Sequence, residues 1–184
     1  MLKYKKCRLL YYLSKKIDMH FTNALITDLP LIVDIYNSTV ASRMVTADTE
    51  KVTTKSKEKW FYEHNDTTRP LWIIEDHNNK SIGWASFQSF YGRPAYNGTA
   101  EVSIYIHEAM RGQGYGKKIL QYCINEAASL QLHTILGYIF AHNEPSIKLF
   151  TQAGFEEWAC LKDIAIMDDT FYSLKIFGKK VGSN

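Results

Sequence analysis

The sequence predicts a mixed α+β fold, a sheet of about 6–7 strands with helices on both faces. Three observations carry that prediction. Some stretches alternate apolar and polar residues with period two, others repeat apolar residues with the 3.6-residue period of an amphipathic helix, and the two kinds follow one another between short turn signals. At 184 residues, 46% hydrophobic and 14% aromatic, the chain is long and apolar enough to fill one core, so residues 19–184 are expected to form a single domain.

The elements follow in order. His20–Ile26 reads as a first strand. Thr27-Asp28-Leu29-Pro30 joins a capping residue to an early proline and so starts a helix. Leu29, Ile32, Val33, Tyr36 and Val40 then share one helical face, which ends near Ser42. Ser42–Lys55 is polar and without period, hence loop, and Lys57–His64 is a short helix carrying Trp60 and Phe61. Leu71–Asp76 and Ser81–Phe90 flank the turn residues His77-Asn78-Asn79-Lys80 and form a hairpin. After the loop Tyr91–Asn97, the strand Thr99–Ile106 sets Glu101, Ser103 and Tyr105 on one face and Val102, Ile104 and Ile106 on the other. Gly116–Leu130 is an amphipathic helix and Thr134–Phe140 a strand. Pro145–Ala153 is a helix stopped by Gly154, and Phe155–Ile166 with Phe171–Phe177 make a last hairpin around Asp168-Asp169.

Residues 1–18 read differently. Six basic residues surround a short apolar core, Leu9–Leu13, which is too short for a signal peptide and has no small-residue cleavage site after it. The expectation is a solvated, disordered extension or a translated leader upstream of a start at Met19. No apolar run approaches the eighteen or more residues that span a bilayer, so no membrane partner is expected. Lys and Arg exceed Asp and Glu by 22 to 19, a net charge of +3 that is too small for a nucleic-acid footprint. Cys7, Cys123 and Cys160 are odd in number and widely spaced, which points to free thiols in a reducing, cytoplasmic setting. Cys123 and Cys160 are both expected to pack in the core. The histidines are scattered with no H-x-x-x-H pair, so no metal is expected.

The chemistry concentrates in Arg111-Gly112-Gln113-Gly114-Tyr115-Gly116-Lys117, between the strand and the helix. Glycines there let successive N–H groups converge on one anion, and the helix start adds free N–H groups and the positive end of its dipole. The spacing excludes two common phosphate loops. G-x-G-x-x-G would need glycine where Lys117 stands, and the nucleoside-triphosphate loop would need a hydroxyl where Lys118 stands.

What remains, [QR]-x-x-G-x-[GA], resembles the acetyl-CoA loop of the GNAT acyltransferases. Asn143-Glu144-Pro145-Ser146 through Phe150, followed by Gly154-Phe155, resembles the segment that closes the cofactor site in that superfamily. Arg93-Pro94-Ala95-Tyr96 through Glu101-Val102-Ser103-Ile104-Tyr105, together with Ile35-Tyr36-Asn37, is similar to the phosphinothricin acetyltransferase branch. The resemblance runs from about His20 to Phe155 and agrees with the order of elements. It implies a mostly antiparallel, twisted sheet of the GNAT type.

It also implies roles. Acetyl-CoA would be the co-substrate, its pyrophosphate on the amides of Gly112–Lys117 and its pantetheine arm along Ile104, Tyr105 and Ile106, with Asn143 and Ser146 bonding that arm. Glu101 would be the general base that makes the attacking amine neutral. Arg93 and Tyr96, with Tyr36 and Asn37, would line a pocket for a small amino-acid-like amine, Arg93 meeting its carboxylate. Homodimerisation would be expected. Two departures stand out. Phe150 replaces the Tyr or His that many family members place there to protonate the departing thiolate, which leaves water or another tyrosine for that step. Ala165–Ser173 replaces the branch's G-x-K-x-G-x-W-x-D stretch, which alters the outer pocket wall. A different amine (polyamine, drug or protein N-terminus), or a CoA-binding sensor without turnover, remain the alternative readings.

Overall fold

The computed structural model describes residues 19–182. The readings of residues 1–18, Cys7 among them, lie outside these. The described residues build one seven-stranded sheet in the order β1-β2-β3-β4-β5-β7-β6. The strands are β1 (Met19–Asn23), β2 (Leu71–Asp76), β3 (Ser81–Ser89), β4 (Thr99–Ile106), β5 (Thr134–Phe140), β6 (Glu156–Met167) and β7 (Thr170–Lys180). Every neighbouring pair is antiparallel except β4 and β5, which run parallel.

Four α-helices cover the two faces: α1 (Leu29–Val40), α2 (Thr54–Tyr62), α3 (Tyr115–Glu126) and α4 (Glu144–Gln152). On one face, Ile119, Leu120 and Cys123 of α3 and Phe150 of α4 meet Trp72, Phe87, Val102 and Ile139 of the sheet. On the other, Leu29, Ile32, Val33 and Ile35 of α1 pack on Leu71, Ile73 and Trp84, with Trp60 and Phe61 of α2 beside them. The Trp84 indole donates to the Ile32 carbonyl (3.1 Å, buried) and so fixes α1 on β3 while removing an orphan buried N–H.

Most element boundaries shift by one to four residues from the sequence reading, and two of the larger shifts have a visible local cause. β1 stops at Asn23 because the Leu25 amide donates to Asp28 Oδ2 (2.8 Å), folding Ile26–Asp28 into a 3-10 turn. α2 starts at Thr54 because Thr53 and Ser56 cap each other reciprocally, amide to hydroxyl, at 3.1 Å both ways. Serine serves here where the capping-box signature asks for Glu or Gln. α3 ends at Glu126, although Ala127 and Leu130 beyond it stay buried. Cys123 is fully buried, as expected. Cys160 is not: it is exposed, because β6 is the sheet's outer strand and most of its residues face solvent.

Candidate active site

Parallel pairing between β4 and β5 lasts for three rungs only, Thr99 with Thr134, Ala100 with Ile135 and Glu101 with Leu136. Beyond Glu101 the strands diverge, and the edge of β4 from Val102 to Ile106 that faces β5 is left without a strand partner. A groove of about 890 Å³ occupies the splay. Its end is the start of α3. Gly114 caps that helix at φ 84°, a left-handed conformation that costs an L side chain about 1–2 kcal/mol, and no side chain bonds the first helical amides. Those free N–H groups and the helix dipole make the end of the groove an anion site. Arg111 and Lys117 flank it, and Arg111 is braced by the Ile106 carbonyl (3.0 Å) and the Ser38 hydroxyl (2.8 Å).

The roof of the groove comes from the segment read as plain loop. Ser42, Met44, Val45, Thr46 and Ala47 all line it. Three contacts hold that loop down. Arg43 reaches Asp168 on the β6–β7 turn through Nε (2.7 Å) and Nη2 (3.0 Å), the His142 ring pairs with the Arg43 carbonyl (2.8 Å), and the Asn143 side-chain amide donates to the Met44 carbonyl (2.8 Å). The other end of the Asn143 amide accepts from the Ser146 backbone and caps α4. Asn143 is buried with both ends used, so in this conformation it is a roof anchor and helix cap.

A second, smaller cavity of about 290 Å³ opens on the α1–α2 face. Its walls are aromatic. Tyr105 stacks on Trp84 (centroids 4.4 Å apart, planes within 16°), Tyr36 lies 5.1 Å from Tyr105, and Trp60 meets Trp84 edge-on at 5.6 Å. Lys57 and Gln88 add polar groups. The Tyr36 hydroxyl donates to Asp48 Oδ2 (2.5 Å) and pairs with the Thr46 hydroxyl, tying this cavity to the roof loop. Burial, reinforced by Asp48, holds the Tyr36 phenol well above its ordinary range.

Glu101 is the acid that lines both cavities, with Ser103 and Tyr105 of the same strand face. It stands on the last β4–β5 rung, where the splay begins. Burial raises its carboxyl to about 7, while the Ser103 hydroxyl pulls the other way. A carboxylate poised near neutral pH between two cavities can take a proton from a group in one of them. Phe150, packed in the core on the α3–α4 side, also lines the groove, its ring pressed on Gly137 so closely that a Cβ there would sit 2.3 Å from it. Tyr138 of β5 lines the groove half-buried, and burial together with the Glu101 charge raises its phenol.

Most of the residues singled out in the sequence meet in these two cavities. Ile104, Tyr105, Ile106, Arg111, Gly112, Gly114, Gly116, Lys117, Asn143 and Ser146 line the groove, and Tyr36 the smaller cavity. Gln113 instead turns back to the Ala109 carbonyl (3.0 Å), and Tyr115 is buried in the core. Asn37 clasps Val52, donating to its carbonyl and accepting from its amide at 2.9 Å each. Arg93 and Tyr96 line neither cavity. Both are exposed in the loop before β4, Arg93 over the Tyr91 ring and Tyr96 edge-on to Phe90. The sequence reading missed Lys57, Trp60, Trp84, Gln88 and the roof. Lys57 and Trp60, three apart on one helix, carried the one legible hint, a shared face.

A splayed parallel strand pair that ends on a glycine-led helix, with no side chain bonding the first helical amides, gives a long cleft with an anion-binding end. Comparison with known proteins supplies the class. The model of the Acetyltransferase (GNAT) family matches residues 32–155, and the chain belongs to that family. YwnH of Bacillus subtilis, a candidate phosphinothricin acetyltransferase, is 52% identical over 154 residues, 84% of this chain and 94% of that one. An L-methionine sulfoximine/L-methionine sulfone acetyltransferase of Pseudomonas aeruginosa is 30% identical over 131 residues, 71% of this chain and 76% of that one. Among solved structures, YncA of Salmonella typhimurium, a candidate acetyltransferase determined with its cofactor acetyl-CoA, superposes with a TM-score of 0.81 at 25% identity, over 90% of this chain and 95% of that one. Among the described residues, no helix is long and apolar enough to cross a membrane.

Proposed function

We propose that the protein transfers an acetyl group from acetyl-CoA to the amino group of a small amino-acid-like acceptor of the phosphinothricin or methionine sulfoximine type. The observation that carries this reading is Glu101, a carboxyl raised to about 7 and shared by a donor-sized groove and an acceptor-sized pocket. The names of the relatives support the acceptor class.

The groove fits acetyl-CoA on its own features. The free amides at the start of α3 suit a pyrophosphate, and the unpaired edge of β4 offers the hydrogen bonds an extended pantetheine arm needs. When bound, acetyl-CoA supplies an activated acyl group as a thioester. Glu101, ionised, accepts the proton of the acceptor's ammonium directly or through a water, since only the neutral amine has a lone pair to attack with. Free N–H groups along β4 past Glu101 are placed to bear the charge that develops on the acyl oxygen. Phe150 can give no proton, and Tyr138, on the groove side of β5, is the hydroxyl that returns one. Cys123 takes no part. It is buried in the core, and burial raises its thiol far above the nucleophilic range.

The chain would work as one domain, with free thiols in a reducing cytoplasm and without a metal; pairing as a homodimer belongs to the same reading. The test is thiol release. Purified protein is mixed with acetyl-CoA and a panel of amines, methionine sulfoximine and phosphinothricin among them. Release with these two above the polyamines supports the acceptor class. Measurable CoA binding with no release for any amine would favour a sensor instead.

A further inference from the structure

Arg93, the expected carboxylate anchor, lies outside the acceptor pocket, and among the described residues one cationic side chain lines that pocket: Lys57. Two features of α2 fix its place. Thr53 caps α2 four residues before it, and Trp60, one helical turn on, wedges against Trp84. The ammonium lies 4.8 Å from the centre of the Tyr36 ring, with the side chain 27% exposed.

Its neutralisation is incomplete. The nearest carboxylate oxygen, Asp48 Oδ2, is 3.8 Å away, too far for a hydrogen bond, and that same oxygen already accepts from the Tyr36 hydroxyl at 2.5 Å. An ammonium carries three donors, and none of those of Lys57 meets an acceptor at bonding distance in the described residues. A partly desolvated cation with unspent donors, facing a cavity, is a site for an anion. Glu101 lines the same cavity with the opposite charge. The two together match a zwitterion, its ammonium toward Glu101 and its carboxylate toward Lys57. The volume, about 290 Å³, sits at the small end of ligand pockets and suits one amino acid.

We propose that Lys57 binds the carboxylate of the acceptor and makes the enzyme select amino acids over simple amines. The inference rests on the acetyltransferase reading above, and its test separates the two. Initial rates are measured with methionine sulfoximine and with the matching amine that lacks the carboxyl group, for the unaltered protein, Lys57→Met and Lys57→Arg. The expected result is a clear preference of the unaltered protein for methionine sulfoximine. Lys57→Met raises KM for methionine sulfoximine by roughly 10- to 100-fold, the usual weight of a charge-assisted hydrogen bond. Its constants for the decarboxylated amine stay within about twofold, which also reports an intact fold, and Lys57→Arg keeps most of the preference. Three results overturn the proposal: equal loss on both substrates, which marks a structural role; an unchanged preference in Lys57→Met; or a protein that prefers the decarboxylated amine from the start. If neither substrate nor any other amine releases thiol, the acetyltransferase reading falls and takes the inference with it.

Discussion

The groove and the acceptor pocket touch at Glu101 and are built on different principles. The groove is made largely of backbone: an unpaired strand edge, a glycine turn and a helix start whose amides no side chain bonds. The pocket is made of side chains from α1, the loop before α2, α2, β3 and β4, brought together from distant parts of the chain by Trp84 stacked on Tyr105 and bonded to Ile32. A backbone site tolerates most side chains and depends on conformation, whereas a side-chain pocket can change its ligand by one substitution without disturbing the fold. On the proposed function, the donor end is therefore conservative by construction, and the acceptor end is where specificity would reside.

Glu101 is the point at which both fail together. Glu101→Gln keeps the shape of both cavities and removes the proposed base, so kcat should fall by about 10²- to 10⁴-fold while acetyl-CoA affinity stays near that of the unaltered protein. Isothermal titration beside turnover assays checks this, and equal kcat values would remove Glu101 from the mechanism. The pH profile adds a sign. The proposed base works ionised, so kcat/KM, which reports the free enzyme, should rise with pH through about 7, and that limb should vanish in the variant. Stability runs the other way. A carboxyl raised from 4.5 to about 7 by burial binds protons more tightly folded than unfolded, so its contribution is present below 4.5 and is lost as pH rises to 7. Above pH 7 Glu101→Gln should therefore melt higher than the unaltered protein, and the reverse order would argue against burial as the cause of the shift.

A change confined to the groove should touch the donor alone. Gly114→Ala forces an L side chain to φ 84° with open space around it, so the expected loss is conformational. At about 1–2 kcal/mol it should weaken acetyl-CoA binding by roughly tenfold and leave the acceptor preference intact. Tyr138→Phe is expected to lower kcat by a similar or smaller factor, because a thiol's ordinary value lies close to neutral and its thiolate leaves tolerably without help. A fall as deep as that of Glu101→Gln would show that protonation of the leaving group limits the rate.

The difference in construction also explains what the sequence revealed. Backbone sites leave local marks, so the glycine run and the alternation of β4 pointed to the groove, and the limits read for β2, β4 and β5 match the structure. The pocket left almost none. Arg93 and Tyr96 are near Glu101 in the chain, but Pro94–Tyr96 folds as a 3-10 turn that keeps them on the surface. Lys57 and Trp60, some forty residues before Glu101, reach it through tertiary packing that no local pattern encodes. The roof was illegible for the same reason, since residues 42–47 have no period and are held by partners about a hundred residues away.

That roof is where groove and pocket are coupled, because Tyr36 of the pocket bonds Asp48 and Thr46 of the loop while Asn143 beside the groove bonds Met44. Asn143→Ala removes the Met44 contact and the cap of α4 in one step, and the cap alone is worth about 0.5–2 kcal/mol. The expected result is a modest drop in melting temperature and a rise in KM for acetyl-CoA larger than that for the acceptor. Asp168→Asn loosens the same loop from the far side through an exposed ion pair, and exposed pairs contribute little. Its effect should be the smallest of the set and should shrink further as salt is raised. If Asp168→Asn instead raised KM for donor and acceptor equally, at low and high salt alike, the loop would be acting as one lid over both cavities, and the division between a backbone donor site and a side-chain acceptor site would give way to a single closing unit.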